Sequence, residues 1–177
     1  MVRPLPAPAT PTRPVTLGNM VVVTTVDAAF QAAAELARAD SGLAVISTLR
    51  ADGTIQASVV NTAFLPAPLL PVPPGPPGPL VAFVTYGRVK LAHLRRRPQI
   101  SVTVRAGWQW ATVEGTASLV GPDDPHPAVD ADRLRLLLRE IFTAAGGTHD
   151  DWDAYDRVMA EQRRTAVFVT PSRIYGP

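Results

Sequence analysis

Eight of the chain's 19 prolines fall between Pro66 and Pro79. Each lacks a backbone N–H and has φ held near −65°, so neither a helix nor an interior ladder strand can pass through this stretch. Regular structure must be built separately before and after it. The segment reads as a long surface loop with polyproline character. The other use of such a composition is as a ligand for an aromatic-lined domain. A second group, Pro4, Pro6, Pro8, Pro11 and Pro14, opposes regular structure over residues 1–20, which read as a disordered or loosely draped arm.

The remainder suffices for one domain with a real core. Hydrophobic residues make up 46% of the chain and charged residues 18%, a balance that leaves apolar surface for a partner subunit to cover. A net charge of +2 without a basic stripe argues against a nucleic-acid partner. The lack of cysteine excludes disulfides, thiolate catalysis and thiolate-held zinc. With no secretory pattern and no apolar run of membrane-spanning length, the expectation is a cytoplasmic protein without membrane contact.

Asp27 is a suitable N-cap for a helix reaching about Ala39. Leu43 to Leu49 has the character of a buried strand. Arg50-Ala51-Asp52-Gly53 supplies a turn, and Thr54 to Leu65 returns, alternating through Ile55, Ala57, Val59 and Asn61. After the proline-rich stretch, Leu80 to Tyr86 is a third strand and Val89 to Arg97 a short helix that Pro98 stops. Gln99 to Arg105 and Trp108 to Val120 are strands joined at Ala106-Gly107. Two helices follow, Asp132 to Ala144 and Asp151 to Arg164, the second capped by Thr148 or Asp150. Thr165 to Thr170 is the sixth strand. This order does not alternate strand with helix, so it predicts an α+β, mainly β, small barrel rather than a doubly wound sheet.

Lys90 is the sole lysine; every other cationic side chain is arginine or histidine. It sits in Thr85-Tyr86-Gly87-Arg88-Val89-Lys90, where a strand turns into a helix and unpaired N–H groups and the helix dipole favour an anion. The competing reading is a solvated lysine on a helix surface. The nucleophile elbow, phosphate-binding loop and dinucleotide fingerprint are absent. The three histidines are isolated, so no metal site is expected. Asp123-Asp124 and Asp150-Asp151 read as helix caps and dipole partners. No catalytic residue can be named, which points to a cofactor that carries its own chemistry. A cradle could draw on Ser58, Asn61, Thr85, Gly87, Arg88 and Lys90. Trp108 and Trp110, at i and i+2 on one strand, share a face with Thr112 and Glu114 and serve either as barrel core or as a flat wall for an aromatic ring.

The ordered pieces Leu43 to Thr54, Thr85 to Lys90 followed by Leu94 and Arg96-Arg97-Pro98, Ala111-Thr112-Val113-Glu114-Gly115, and Pro171 to Tyr175 together resemble a known family. It is that of the flavin and deazaflavin oxidoreductases of the split β-barrel type, which includes pyridoxamine 5′-phosphate oxidase. The resemblance implies a six-stranded antiparallel split β-barrel of the FMN-binding type with flanking helices. It is greatest to the branch using the deazaflavin coenzyme F420, whose members are homodimers with cofactor sites at the subunit interface. It would place the backbone of Ser58, Val59, Val60 and Asn61 at the ring edge. It would place Thr85, Arg88 and Lys90, in the turn containing Tyr86, Gly87 and Val89, at the phosphate-bearing tail. Gln109 or Trp110 would reach the ring from the partner chain. The implied function is hydride transfer between F420 and a small organic molecule. The alternatives are an FMN oxidoreductase on the same fold, or a non-catalytic protein that holds the cofactor, haem or another tetrapyrrole. Trp110 stands where pyridoxamine phosphate oxidases carry glutamine, and their C-terminal Arg-x-His signature is missing, so oxidation of pyridoxamine phosphate is not expected.

Overall fold

The computed structural model describes residues 26–67, 69 and 78–176. The proline-rich arm and most of Pro66–Pro79 lie outside them. Six strands, β1 (Leu43–Leu49), β2 (Ile55–Leu65), β3 (Leu80–Thr85), β4 (Gln99–Ala106), β5 (Gln109–Val120) and β6 (Thr165–Tyr175), close into a barrel in the order β1-β2-β3-β6-β5-β4. All neighbours are antiparallel, and β4 pairs back onto β1. The expected α+β architecture, a six-stranded antiparallel split β-barrel with flanking helices, is what the chain forms. Those helices are α1 (Val26–Ala39), α2 (Arg88–Arg96), α3 (Ala131–Ala144) and α4 (Trp152–Glu161).

Two apolar clusters explain why β3 and β6 read as continuous hydrophobic runs. On β3, Val81 and Phe83 face the barrel interior, while Leu80 and Ala82 face outward onto α3 and α4. On β6, Val167 and Val169 point in and Ala166 and Phe168 point out. A strand covered on both faces has no need to alternate. Within the barrel, Phe30, Ala33 and Ala37 of α1 join Ile46, Val102 and Val113. Outside it, Leu137, Leu138 and Ile141 of α3 meet Tyr155 of α4 over the β2–β3–β6 face. The Tyr155 hydroxyl donates to the Leu138 carbonyl at 3.1 Å, and burial pushes its pKa up to about 12. Tyr155→Phe should cost about 1 kcal/mol, the usual net worth of one such bond, read as a fall in the urea midpoint.

Several boundaries differ from expectation. Asp27 lies inside the first turn of α1, where it complements the dipole; the capping position falls outside the described residues. α4 is capped by Asp151, whose carboxylate accepts from the Ala154 amide at 2.8 Å, rather than by Thr148 or Asp150. Asp123 and Asp124 cap nothing: they pair with Arg163 and Arg95. β6 runs five residues beyond Thr170, through Pro171. Register slips there, with Gly115 opposite Pro171 and Glu114 opposite Arg173, so Ser172 is the extra residue of a bulge directly after the proline.

Trp108 is not on a strand. It occupies the turn with Gly107 and is 99% exposed, so the pair of tryptophans is not barrel core; both instead line an open hollow on the outside of the subunit. The alternating residues of β2, Ile55, Ala57, Val59 and Asn61, lie on the open face of the barrel. Leu43 and Val45 of β1 lie on the same face, since Leu43 is opposite Asn61 and Val45 opposite Val59. Val59 and Val45 are 63% and 44% exposed.

Candidate cofactor cleft

β3 ends at Thr85, and the chain turns through Tyr86 and Gly87 into α2. Gly87 is the N-cap, yet no side chain caps the helix and its first turn holds no acid. α3 and α4 differ: Asp130 and Asp151 cap them, and Asp132 and Asp153 sit in their first turns. The amides opening α2 thus lack the negative partner that the later helices carry.

Lys90 lies in that turn, and it is buried, with 8% of its surface exposed. This removes the solvated-surface reading. The Nζ donates to Thr85 Oγ1 at 3.4 Å and lies 5.8 Å from the centroid of the Phe83 ring. No carboxylate pairs with it among the described residues. Burial pushes its pKa below the ordinary lysine value. A cation taken from water without a counter-charge is costly, and such sites tend to await an anionic ligand.

The open space beside it is a cleft of about 560 Å³ between the outer edge of β2–β3 and the helices α3 and α4. Its cationic end is formed by Thr85, Gly87, Lys90 and Arg164. Its helix-side wall is apolar, from Ile141, Phe142, Ala145 and Met159. Val59, Val60 and Asn61 line it from β2, with Tyr86 beside the turn. Asn61 Nδ2 donates to the Ser41 carbonyl at 2.9 Å, which steadies this rim. One charged end and one apolar wall suit a ring that carries an anionic tail.

Of the residues singled out from sequence, Val59, Val60, Asn61, Thr85, Tyr86, Gly87 and Lys90 therefore meet in one cleft. Ser58 is half-buried on β2 and does not line it. Arg88 and Val89 are exposed and turned away. The Arg88 charge instead acts on Asp123, whose carboxyl is held low chiefly by its hydrogen bond from Arg163, with Arg95 and Arg88 adding attraction. Position after an N-cap does not fix the direction of a long side chain, and here Arg88 projects from the other side of the helix. Gln109 and Trp110 lie elsewhere on the same subunit. They line a separate hollow with Leu43, Val45 and Val59, and Trp110 meets Tyr175 edge to face, with ring centroids 6.1 Å apart.

Arg164 is the residue that sequence reasoning passed over. It precedes Thr165, which pairs with Thr85, so strand register sets it beside Tyr86. Its guanidinium lies 4.1 Å from the centroid of the Tyr86 ring. The available signal was an arginine one residue before a strand, which carries meaning only once that strand's neighbour is known.

The sequence pattern of the pyridoxamine 5′-phosphate oxidase family matches residues 26–175. The chain belongs to that family. The family is chiefly one of flavin-binding oxidoreductases. Among solved structures, an F420 reductase is 16% identical, with a TM-score of 0.52 over 76% of this chain and 90% of its own. A conserved hypothetical protein of Mycobacterium tuberculosis is 18% identical, with a TM-score of 0.53 over 81% and 82%. A haem-binding protein of Mycobacterium smegmatis is 15% identical, with a TM-score of 0.54 over 84% of this chain and 53% of that one. Such likenesses establish the shared barrel. No helix among the described residues is long and apolar enough to cross a membrane.

Proposed function

We propose that this family member is an F420-dependent oxidoreductase, passing hydride between the deazaflavin and a small organic substrate. The observation that carries the reading is Lys90, buried with no paired carboxylate among the described residues, at a helix N-terminus that no side chain caps, in a cleft whose helix-side wall is apolar. These residues fit the cofactor: Lys90, Thr85 and the α2 amides suit its phosphate, and the backbone of Val59 to Asn61 offers polar groups to a ring edge. When bound, the deazaflavin supplies the hydride chemistry. The chain's own part is to hold the tail by charge-assisted hydrogen bonds, to fix the ring and to keep water from the apolar wall. No protein acid or base in the cleft is assigned a proton-transfer role.

FMN is the second reading, because the family is flavin-binding and a buried lysine holds either phosphate. Titration of the apo protein with each cofactor, followed by fluorescence, decides between them. F420 should bind at least tenfold tighter, a difference of about 1.4 kcal/mol. Tighter FMN binding transfers the assignment to flavin, and tight binding of either cofactor without turnover of any acceptor favours a carrier.

The functional unit on this reading is a homodimer. Leu43, Val45, Ile55 and Val59 form an exposed apolar face on β1–β2, and Val59 also borders the cleft. A second copy laid on that face is the arrangement in which Gln109 or Trp110 would reach the partner's ring. Val59→Asp is expected to yield monomers by size-exclusion chromatography with light scattering, since a buried unpaired carboxylate is costly. A variant that stays dimeric would remove β1–β2 from the interface.

A further inference from the structure

Arg164 carries more than the family reading requires. Its Nε donates to Gln162 Oε1 at 2.8 Å, but neither terminal nitrogen has an acceptor among the described residues. No carboxylate pairs with it there either, whereas Arg95, Arg133, Arg135, Arg139 and Arg163 all have one. One face of the guanidinium rests on Tyr86, itself 55% exposed. The stack orients the planar fork, and the two unused terminal nitrogens form an edge that can grip a carboxylate or phosphate in bidentate fashion. Burial disfavours its charge, as it does that of Lys90, and the same cleft is lined by both.

The two cations differ in depth. Lys90 is buried, at the inner end beside Thr85, whereas Arg164 is half-buried beside the exposed Tyr86. A phosphate seated on Lys90 and the α2 amides is satisfied without the fork of Arg164. We infer that Arg164 takes a second anionic group of the bound cofactor, farther from the ring than the phosphate held by Lys90. The ligand would then be a phosphate-bearing ring whose tail continues into a further carboxylate or phosphate, and Arg164 would be the residue that discriminates for that tail. This rests on the cofactor reading above and names the part of the ligand that reading leaves open.

The test compares wild type, Arg164→Gln and Arg164→Lys in direct binding of three probes without substrate: F420, FMN and the tail-less, dephosphorylated deazaflavin. Arg164→Gln is expected to weaken F420 about tenfold, the effect of one charge-assisted contact, and to change FMN and the tail-less ring less than twofold. Arg164→Lys should recover only part of the loss, because it restores charge without the stacked fork. The salt dependence of F420 binding should become shallower in Arg164→Gln, a change that a merely structural arginine would not produce. Equal losses for F420 and FMN would place Arg164 on the inner phosphate and overturn the inference while leaving the cofactor reading intact. Unchanged F420 affinity, with unchanged salt dependence, would reduce Arg164 to a support for Tyr86. Failure of wild type to bind F420 or FMN would overturn the cofactor reading itself.

Discussion

Lys90→Met is expected to weaken cofactor binding roughly 10- to 150-fold, the loss of one charge-assisted bond worth about 1.5–3 kcal/mol. It should leave the apo fold as stable as wild type or up to about 1 kcal/mol more stable, since an apolar isostere replaces a buried charge. The two effects have one origin. Burial holds the Lys90 pKa below its ordinary value, so the folded protein releases this proton at lower pH than the unfolded chain. Between those two values the unfolded chain binds more protons, and the buried ammonium's penalty on stability fades as pH rises. Affinity moves the other way, because the anion needs the ammonium: it should fall as pH climbs from neutral toward the unfolded lysine value of about 10.4. Tyr86, Tyr155 and Arg164 also line the cleft, so the Lys90→Met titration is the reference that isolates this contribution. Thermal melts and fluorescence titrations across that range check both slopes. A variant that binds as well as wild type, or that unfolds, would contradict the assignment.

The second large effect is structural and acts on the same cleft. Gly42 has φ +74°, and a Cβ there would lie 2.7 Å from the Ala145 carbonyl oxygen and 2.9 Å from that of Thr62. Both obstacles are backbone, so neither can rotate away. Gly42 is also where β1 is tied to β2, since its carbonyl accepts from the Thr62 amide at 2.7 Å. Gly42→Ala should cost about 3 kcal/mol, from left-handed backbone strain plus overpacking. For a chain of this size that is a fall in Tm of roughly 6–12 °C. Ala145 closes α3 and lines the cleft, so the shift that relieves the clash would move the apolar wall away from β2. Cofactor affinity should therefore drop alongside stability, unlike the separation expected for Lys90→Met. Retention of wild-type Tm would show that α3 yields at no cost.

Much of the barrel was legible in the residues because turn chemistry and helical spacing are local signals. Asp52-Gly53, Gly107 and Pro98 marked three boundaries, and β3 and β6 were found as strands, whereas the apolar run Leu43–Leu49, read as a buried strand, has one face open. What failed depended on partners remote in the chain. Trp108 read as strand because the turn was set at Ala106-Gly107, one residue before its place at Gly107-Trp108. Arg88 read as a ligand because residue type does not report direction. Arg164 was invisible until Thr165 paired with Thr85. The alternation of Ile55, Ala57, Val59 and Asn61 was recognised as strand periodicity, but periodicity alone does not say which face looks inward. Lys90 stood out through composition, as the one lysine in an arginine-using chain, and the structure then supplied the burial that gives its position meaning.

That singularity also makes the most direct measurement simple. Labelling lysine with ¹³C at Cε yields one side-chain signal, from Lys90, whose titration reports its pKa without mutation. The expected result is a pKa below the ordinary lysine value in the apo protein, rising when F420 or FMN is added as the anion restores the charged form. A signal that titrates like free lysine, and does not move with either cofactor, would contradict the claim that this ammonium is held in the cleft for a phosphate.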